Sequence, residues 1–177
     1  MRRPLTELSS DVEMARATAE ETEEVSSILR EAADWLAARG EALWSPGMVS
    51  PEAVRPAIAR GEFYLANVGG VAVGAMILQW EDRKFWPDVP PGEAAYIHKL
   101  AVRRSVAGLG ISGSMIAWAK ETAAVAGRRF LRLDCAIRPR LQAFYESQGF
   151  VAHSEREMGP FSVMRYEMIL SNEVIRK

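Results

Sequence analysis

The stretch from Ala94 to Ala119, AAYIHKLAVRRSVAGLGISGSMIAWA, constrains the fold of this chain more than any other. Tyr96 to Val102 is short, apolar and rich in β-formers, which predicts a strand. From Ile111 the pattern changes. Ile111, Met115, Trp118, Thr122 and Val125 are spaced by four, three, four and three residues, the spacing of one helix face. Between strand and helix lies Val106-Ala107-Gly108-Leu109-Gly110, a glycine-bearing turn that opens directly into the helix. A turn of this kind can hold an anion. The first backbone N–H groups of a helix have no intrahelical partner, and the dipole places partial positive charge there. Glycine lets the backbone approach a phosphate with no Cβ in the way. Arg103 and Arg104, just before the turn, add positive charge. Gly-x-Gly alone equally describes a plain tight connection. The stretch is not a Rossmann fingerprint, since the third glycine is missing, and not a P-loop, since no Gly-Lys-Ser/Thr follows.

The remaining chain is organised around this unit. Val12 to Ala17 can form a first strand. Thr18-Ala19-Glu20-Glu21 is a capping-box pattern ahead of Val25, Ile28, Leu29, Ala32 and Leu36, an amphipathic helix face expected to end near Gly40. Ser50-Pro51 starts a second, short helix that Pro56 should bend or shorten. Phe63 to Val68 and Val71 to Trp80 read as strands joined at a Gly69-Gly70 hairpin turn. A long loop, Glu81 to Glu93, is rich in acid, proline and aromatics. After the central helix come a strand from Phe130 to Ala136 and a helix from Pro139 to Gln148. Strands from Phe150 to Glu155 and from Val163 to Leu170 follow. In the last, Met164, Tyr166, Met168 and Leu170 are expected to face the core. The order predicts an α/β (α+β) domain: one mixed, mostly antiparallel sheet of six to seven strands flanked by four helices. A single domain is expected over 12–171, with 1–11 and 172–177 as terminal extensions.

At 177 residues the chain can bury one core. Its net charge of −1 supplies no long-range field for nucleic acid or an anionic membrane, so neither is expected as a partner. No apolar run approaches the roughly 20 residues that span a bilayer. The single cysteine, Cys135, excludes an internal disulfide and suits a reducing compartment. The N-terminus has no signal-peptide core, and a cytoplasmic protein is expected. No His/Cys/Asp grouping has metal-ligand spacing, so no metal is expected.

LAVRRSVAGLGISGSMI resembles motif A of the GCN5-related N-acetyltransferases, in which a Leu-Ala-Val strand runs into an Arg/Gln-x-x-Gly-x-Gly/Ala turn. RLDCAIRPRLQAFYESQGF, Arg132 to Phe150, resembles the next block of that family, and the two blocks have the right order and spacing. Ala107, Ser112 and Arg138 depart from the usual Arg or Gln, Gly or Ala, and Asn. Tyr96 to Ser105 also resembles the corresponding strand of arylalkylamine N-acetyltransferases, with Tyr96 and His98 in place of two histidines.

The resemblance implies the acetyl-CoA acyltransferase fold and direct transfer of acetyl from acetyl-CoA to the primary amine of a small molecule, through a ternary complex. Leu100, Ala101 and Val102 would pair with pantetheine through their backbones. Arg103, Val106, Ala107, Gly108, Leu109, Gly110, Ile111 and Ser112 would cradle the diphosphate, with Arg138 and Leu141 contributing. Tyr145 is the implied general acid, because a phenol is protonated at neutral pH and can donate to a thiolate. His98 is the candidate base. Glu93 and Glu81 border the same strand ends and are rival bases, and His153 is a weaker one. Trp44, Glu81, Phe85, Trp86 and Tyr96 are expected around the acceptor, where acids and aromatic faces favour an ammonium. Two alternatives stay open: an acyl-CoA-binding regulatory module without turnover, and a protein or peptide N-acetyltransferase. The oligomeric state is also open, a homodimer included.

Overall fold

The computed structural model describes residues 11–170; the extension expected at 172–177, and all but Asp11 of that expected at 1–11, lie outside the described residues. The chain runs through strand β1 (Glu13–Arg16), helices α1 (Thr22–Ala38) and α2 (Pro51–Ala59), and strands β2 (Phe63–Val68), β3 (Val71–Gln79) and β4 (Ala94–Val102). It continues with α3 (Ile111–Val125), β5 (Phe130–Ala136), α4 (Pro139–Ser147), β6 (Val151–Glu157) and β7 (Ser162–Ile169). The seven strands form one sheet in the order β1-β2-β3-β4-β5-β7-β6. β4 and β5 pair in parallel, whereas β1/β2, β2/β3, β5/β7 and β6/β7 pair antiparallel. This is the mixed sheet with four helices that the element order implied.

Local signals account for most boundaries. The Glu21 carboxylate accepts the Thr18 N–H at 2.8 Å, so the first turn of this segment is closed before α1 begins. Ser50 accepts the Ala53 N–H at 3.3 Å ahead of Pro51, and α2 ends at Ala59, three residues beyond Pro56. Gly69 and Gly70 both have positive φ, 58° and 79°, as a two-residue hairpin turn with a right-handed twist requires.

The residues fall into two compact units. The first comprises the chain up to Ile77 together with Lys99–Met115, and its core gathers Val25, Ile28, Leu29, Val54, Phe63 and Leu65. The second comprises Leu78–His98 and the chain from Ile116 onward, with Trp86, Ala94 and Tyr96 as one of its clusters. The boundary in β4 falls at Lys99, a non-glycine residue with φ 49°. A lysine in the left-handed region costs of the order of 1 kcal/mol, and it interrupts the pleat. Alternation expected to carry Tyr96, His98, Leu100 and Val102 on one face therefore breaks after His98, and Ala101 is the buried residue beyond it. The β4/β5 ladder runs from Ala94↔Phe130 to Ile97↔Leu133 only.

Two further expectations are corrected. Helix α3 buries Ile111, Met115, Ile116, Ala119 and Ala123, while Val125 is 74% exposed. Its buried stripe follows the i+4 row through small alanines rather than the larger residues at Trp118 and Val125. In β7, Met168 and Tyr166 are buried as expected, but so are Val163 and Arg165. Arg165 is buried because the loop after β3 covers it, Asp88 and the Phe85 carbonyl accepting from its guanidinium.

Candidate active site

In the second unit, β4 and β5 are in register at Tyr96↔Arg132. Two residues farther along each strand come His98 and Asp134, and their side chains meet, with His98 Nδ1 3.4 Å from Asp134 Oδ1. At the other ring nitrogen, His98 Nε2 lies 3.0 Å from Asp82 Oδ2, on the loop after β3. All three side chains are largely buried, 17%, 11% and 3% exposed for His98, Asp134 and Asp82. Asp82 is held from behind, where its Oδ1 accepts the backbone N–H groups of Lys84 at 3.1 Å and Phe85 at 2.9 Å. Burial raises the Asp82 pKa, but the adjacent His98 and the backbone N–H groups of Phe85 and Lys84 outweigh it and leave the carboxyl below its ordinary value. Burial dominates at Asp134, whose carboxyl is pushed up to about 6, with the Asp82 charge adding to the rise. The ligand-type atoms of these three residues lie within 4.8 Å of one another. The carboxylates face opposite ring nitrogens, though, and one imidazole coordinates one ion through one nitrogen. The fold nonetheless brings together a His/Asp grouping that spacing in the sequence did not show.

Tyr145, on α4, is buried against the rings of Phe144, Phe150 and Tyr166, with centroids 5.1, 6.0 and 6.3 Å away. Burial drives its phenol pKa far up, with charge on Cys135 and Asp134 adding, so the phenol is protonated throughout the neutral range. Cys135 is itself buried, and its thiol is pushed up to about 12, which removes it as a nucleophile.

The loop from Glu81 to Glu93 is pinned rather than open. Arg165 donates to both carboxylate oxygens of Asp88, at 2.5 and 3.0 Å, and to the Phe85 carbonyl at 3.2 Å. The Arg165 hydrogen bond holds the Asp88 carboxyl down to about 2. Arg128 donates to the Gly92 carbonyl. Trp86 sits fully buried in the second unit's core cluster with Ala94 and Tyr96, flanked by the guanidinium groups of Arg165 and Arg132 at 4.7 and 5.0 Å. This loop lines a half-open pocket of about 280 Å³, with Trp80, Glu81, Asp82, Trp86, Val89 and Tyr96 in its lining.

The structure separates the expected acceptor and base residues. Glu81, Trp86 and Tyr96 line the pocket, whereas Phe85 stands beside His98 with ring centroids 5.8 Å apart. Trp86 is a core residue as well as a lining one, because the loop folds back over it. Trp44 belongs to the first unit, half-buried against its core with the Lys99 ammonium over its ring. Glu93, the rival base, pairs with Arg132 at 2.7 Å, and Arg132 also binds Glu167 at 2.6 Å. Glu81 is paired with Arg83 at 3.5 Å. His153 is exposed and shares a 2.7 Å hydrogen bond with Ser154. The four acids expected to attract a cation, Glu81, Asp82, Asp88 and Glu93, thus each have a cationic or imidazole partner.

In the first unit, the turn leads into α3 through Gly108 and Gly110, with φ of 80° and 81°. A Cβ built on Gly108 would meet nothing within 4 Å, so the outer side of the turn is open to a phosphate. Ala107, Leu109, Ile111 and Ser112 surround these glycines in sequence. The two arginines have other partners. The Arg103 guanidinium binds Ser27 at 2.9 Å, Glu31 at 2.9 Å and Glu24 at 2.7 Å. The Arg104 guanidinium lies 3.7 Å over the Trp35 ring, and its backbone N–H donates to Glu31 at 2.6 Å. They fasten the turn to α1. Positive potential at the turn then comes from backbone N–H groups. In the second unit, Arg138 is the N-cap of α4 and Leu141 lies half-buried in its first turn.

Asp134 is the residue sequence reading missed. The signal was present in β5, where Arg132 and Asp134 alternate with Leu131, Leu133 and Cys135, but only the parallel register with β4 puts Asp134 beside His98.

A phenol, an imidazole and paired carboxylates on a mixed sheet, together with a Gly-x-Gly strand-to-helix turn, are the equipment of an acyl-transfer protein. The chain matches the acetyltransferase (GNAT) family over residues 28–150 and belongs to that family; it is an N-acetyltransferase. It is 31% identical over 143 residues to the uncharacterised N-acetyltransferase YesJ of Bacillus subtilis (strain 168), covering 76% of this chain and 78% of that protein. A GNAT-family acetyltransferase from Listeria monocytogenes 4b F2365 superimposes with a TM-score of 0.74 at 24% identity, covering 90% of this chain and 95% of that one. RimL, a ribosomal L7/L12 α-N-protein acetyltransferase solved with coenzyme A, superimposes with a TM-score of 0.70 at 18% identity, covering 94% and 98%. Among the described residues, no helix is long and apolar enough to cross a membrane.

Proposed function

We propose that this N-acetyltransferase moves acetyl from acetyl-CoA directly to the primary amine of a small molecule with an apolar body. The observation that carries the reading is the pinned loop from Glu81 to Glu93. It lines a half-open pocket of about 280 Å³ with Trp80, Trp86 and Tyr96, a volume suited to a small ligand rather than a peptide chain. Because its acids are already paired, the pocket supplies less net negative charge than the sequence implied. An apolar amine then fits better than a polyamine.

Acetyl-CoA supplies the acetyl group as a thioester. The Gly108–Gly110 turn has the open space and the helix start to hold its diphosphate. The amine reaches the site mostly as an ammonium and must lose a proton. His98, directly or through water, takes that proton. The amine nitrogen then forms the C–N bond while the C–S bond breaks; the Tyr145 hydroxyl gives its proton to the departing sulfur, and the second proton, which the nitrogen sheds on becoming an amide, restores the phenol. The buried phenol is suited to this role because it is protonated at every working pH.

Thiol release is measured against alkyl- and arylalkyl-amines, polyamines, amino acids, aminoglycosides and peptides with a free N-terminus. Apolar primary amines should give the highest kcat/KM. Tyr145→Phe should lower kcat by about 10²-fold with the fold intact, the lower range for losing a positioned acid. Preference for peptides would favour the protein acetyltransferase reading, which the likeness to RimL in fold keeps in view. Coenzyme A binding with no turnover on any acceptor would leave a regulatory module.

A further inference from the structure

We infer that Asp134 is a positioning residue of the base: Asp82, His98 and Asp134 take up and release one proton as a unit. The inference rests on His98 being the proposed base and deepens that reading. Three observations carry it.

The first is geometric. The two carboxylates stand at the two nitrogens of one imidazole, at 3.0 and 3.4 Å. Each ring nitrogen has a carboxylate beside it, so a proton taken by His98, directly or through water, is shared with the carboxylates from the start.

The second is the state of the polar atoms. Asp82 Oδ2, His98 Nε2 and Asp134 Oδ1 are all buried, and none has an aligned hydrogen bond within the protein. Buried polar atoms without partners are rare in folded proteins. Here each carboxylate oxygen faces a nitrogen of the one ring at 3.0 or 3.4 Å, so the three groups share the protons this spot holds.

The third is the asymmetry between the carboxylates. Asp82 is fixed as an anion by the backbone N–H groups of Lys84 and Phe85, whereas the Asp134 carboxyl has only its own backbone N–H. The charged groups around the cluster are few. Lys84 acts on Asp134 from the loop side, and Asp82 raises it. Arg165 is opposite Asp134 across the β5/β7 ladder, but its guanidinium is spent on Asp88. Cys135 and Tyr145 are buried and neutral. Two anions with a neutral imidazole would leave a local charge of −2 in a buried place. Asp134, the more weakly held carboxylate, is the member that takes the shared proton.

The test does not depend on turnover. The chain has two histidines, so a His153→Gln background leaves His98 as the single ring to follow by NMR over pH 4–9. Without any substrate, the His98 ring signals of the folded protein should report the shared proton as an inflection near pH 6, the value to which burial raises Asp134. Asp134→Asn should abolish that inflection, and Asp134→Glu should keep one. No inflection near pH 6 in the parent, or an unchanged curve in Asp134→Asn, overturns the inference. If Asp134→Asn does not fold, the parent's curve decides. Turnover gives the second arm: kcat/KM of Asp134→Asn at pH 7 should fall about 10-fold, part of what a positioned base contributes, with coenzyme A affinity unchanged. If turnover is normal and the pH–rate profile of Asp134→Asn superimposes on the parent's, the inference fails while acetyl transfer stands. If no amine is acetylated, the functional reading fails while the titration still decides whether the three groups share a proton.

Discussion

Gly74 offers a test of how tightly α3 is seated. It lies on β3 opposite Ala66, and its φ is not positive, so its backbone suits any residue. The constraint is steric. An added Cβ would stand 2.8 Å from Met115 Sδ, 3.2 Å from Met115 Cε and 3.2 Å from the Ala101 carbonyl oxygen. Met115 is fully buried on α3 and has little room to swing away, and Ala101 contributes backbone rather than a movable side chain. Gly74→Ala should therefore incur the overpacking cost of about 1–3 kcal/mol. Alanine returns about 0.4–1 kcal/mol by restricting the unfolded chain. The net is a loss of about 1–2 kcal/mol, or roughly 3–8 °C in Tm for a protein of this size. Urea unfolding should show a lower midpoint with an unchanged slope. Met115→Ala identifies the obstacle. In that background Gly74→Ala should be close to neutral, a coupling of about 1 kcal/mol or more. Equal losses in both backgrounds would clear Met115 of the clash. A variant as stable as the parent would refute the packing argument altogether. The outcome bears on function, because α3 begins at Ile111, directly after the turn proposed to hold the diphosphate.

Gly108→Asp places a negative side chain on the open side of that turn; calorimetry should show coenzyme A affinity reduced by at least about 10-fold in a folded variant, and parental affinity would move the site elsewhere. Stability should also depend on pH in two opposed ways. Asp134, raised from 3.8 to about 6 by burial, holds its proton longer folded than unfolded, so its contribution declines as pH rises from about 4 to about 6, by of the order of 3 kcal/mol. Asp88, lowered to about 2 by Arg165, contributes above its unfolded value and loses that contribution as pH falls from about 4 to about 2; being 53% exposed it is screened, and well under 1 kcal/mol is expected. Urea unfolding of Asp134→Asn should lack the first slope, and a parent whose stability rises from pH 4 to pH 6 by as much as in that variant would contradict the assignment.

Much of the architecture was legible because it depends on near neighbours in the chain. The Gly69-Gly70 hairpin, the Ser50-Pro51 helix start, the turn at Gly108 and Gly110 and the strand from Phe130 to Ala136 each follow from a few adjacent residues. Periodicity and φ preference act over that range, and the family's two motif blocks sharpened it further. Helix α3 shows where periodicity stops: the pattern through Trp118 and Val125 was as regular as the one through Ala119 and Ala123. Only the sheet beneath, with Gly74 clearing space for Met115, chose between them.

The site was legible in its parts but not in its pairings. Tyr145 and His98 could be named from one segment each. That His98 stands between Asp82 and Asp134 depends on a loop and two parallel strands, distant in sequence and joined by register. Charge was misjudged for the same reason. The arginines before the turn read as phosphate ligands and the loop acids as a cation trap, because formal charge is a property of sequence whereas its partner is a property of the fold. Arg103 met Glu24 and Glu31, Asp88 met Arg165, and Glu93 met Arg132. A charge buried in a low-dielectric interior must be matched at close range, and tertiary structure alone decides with which group.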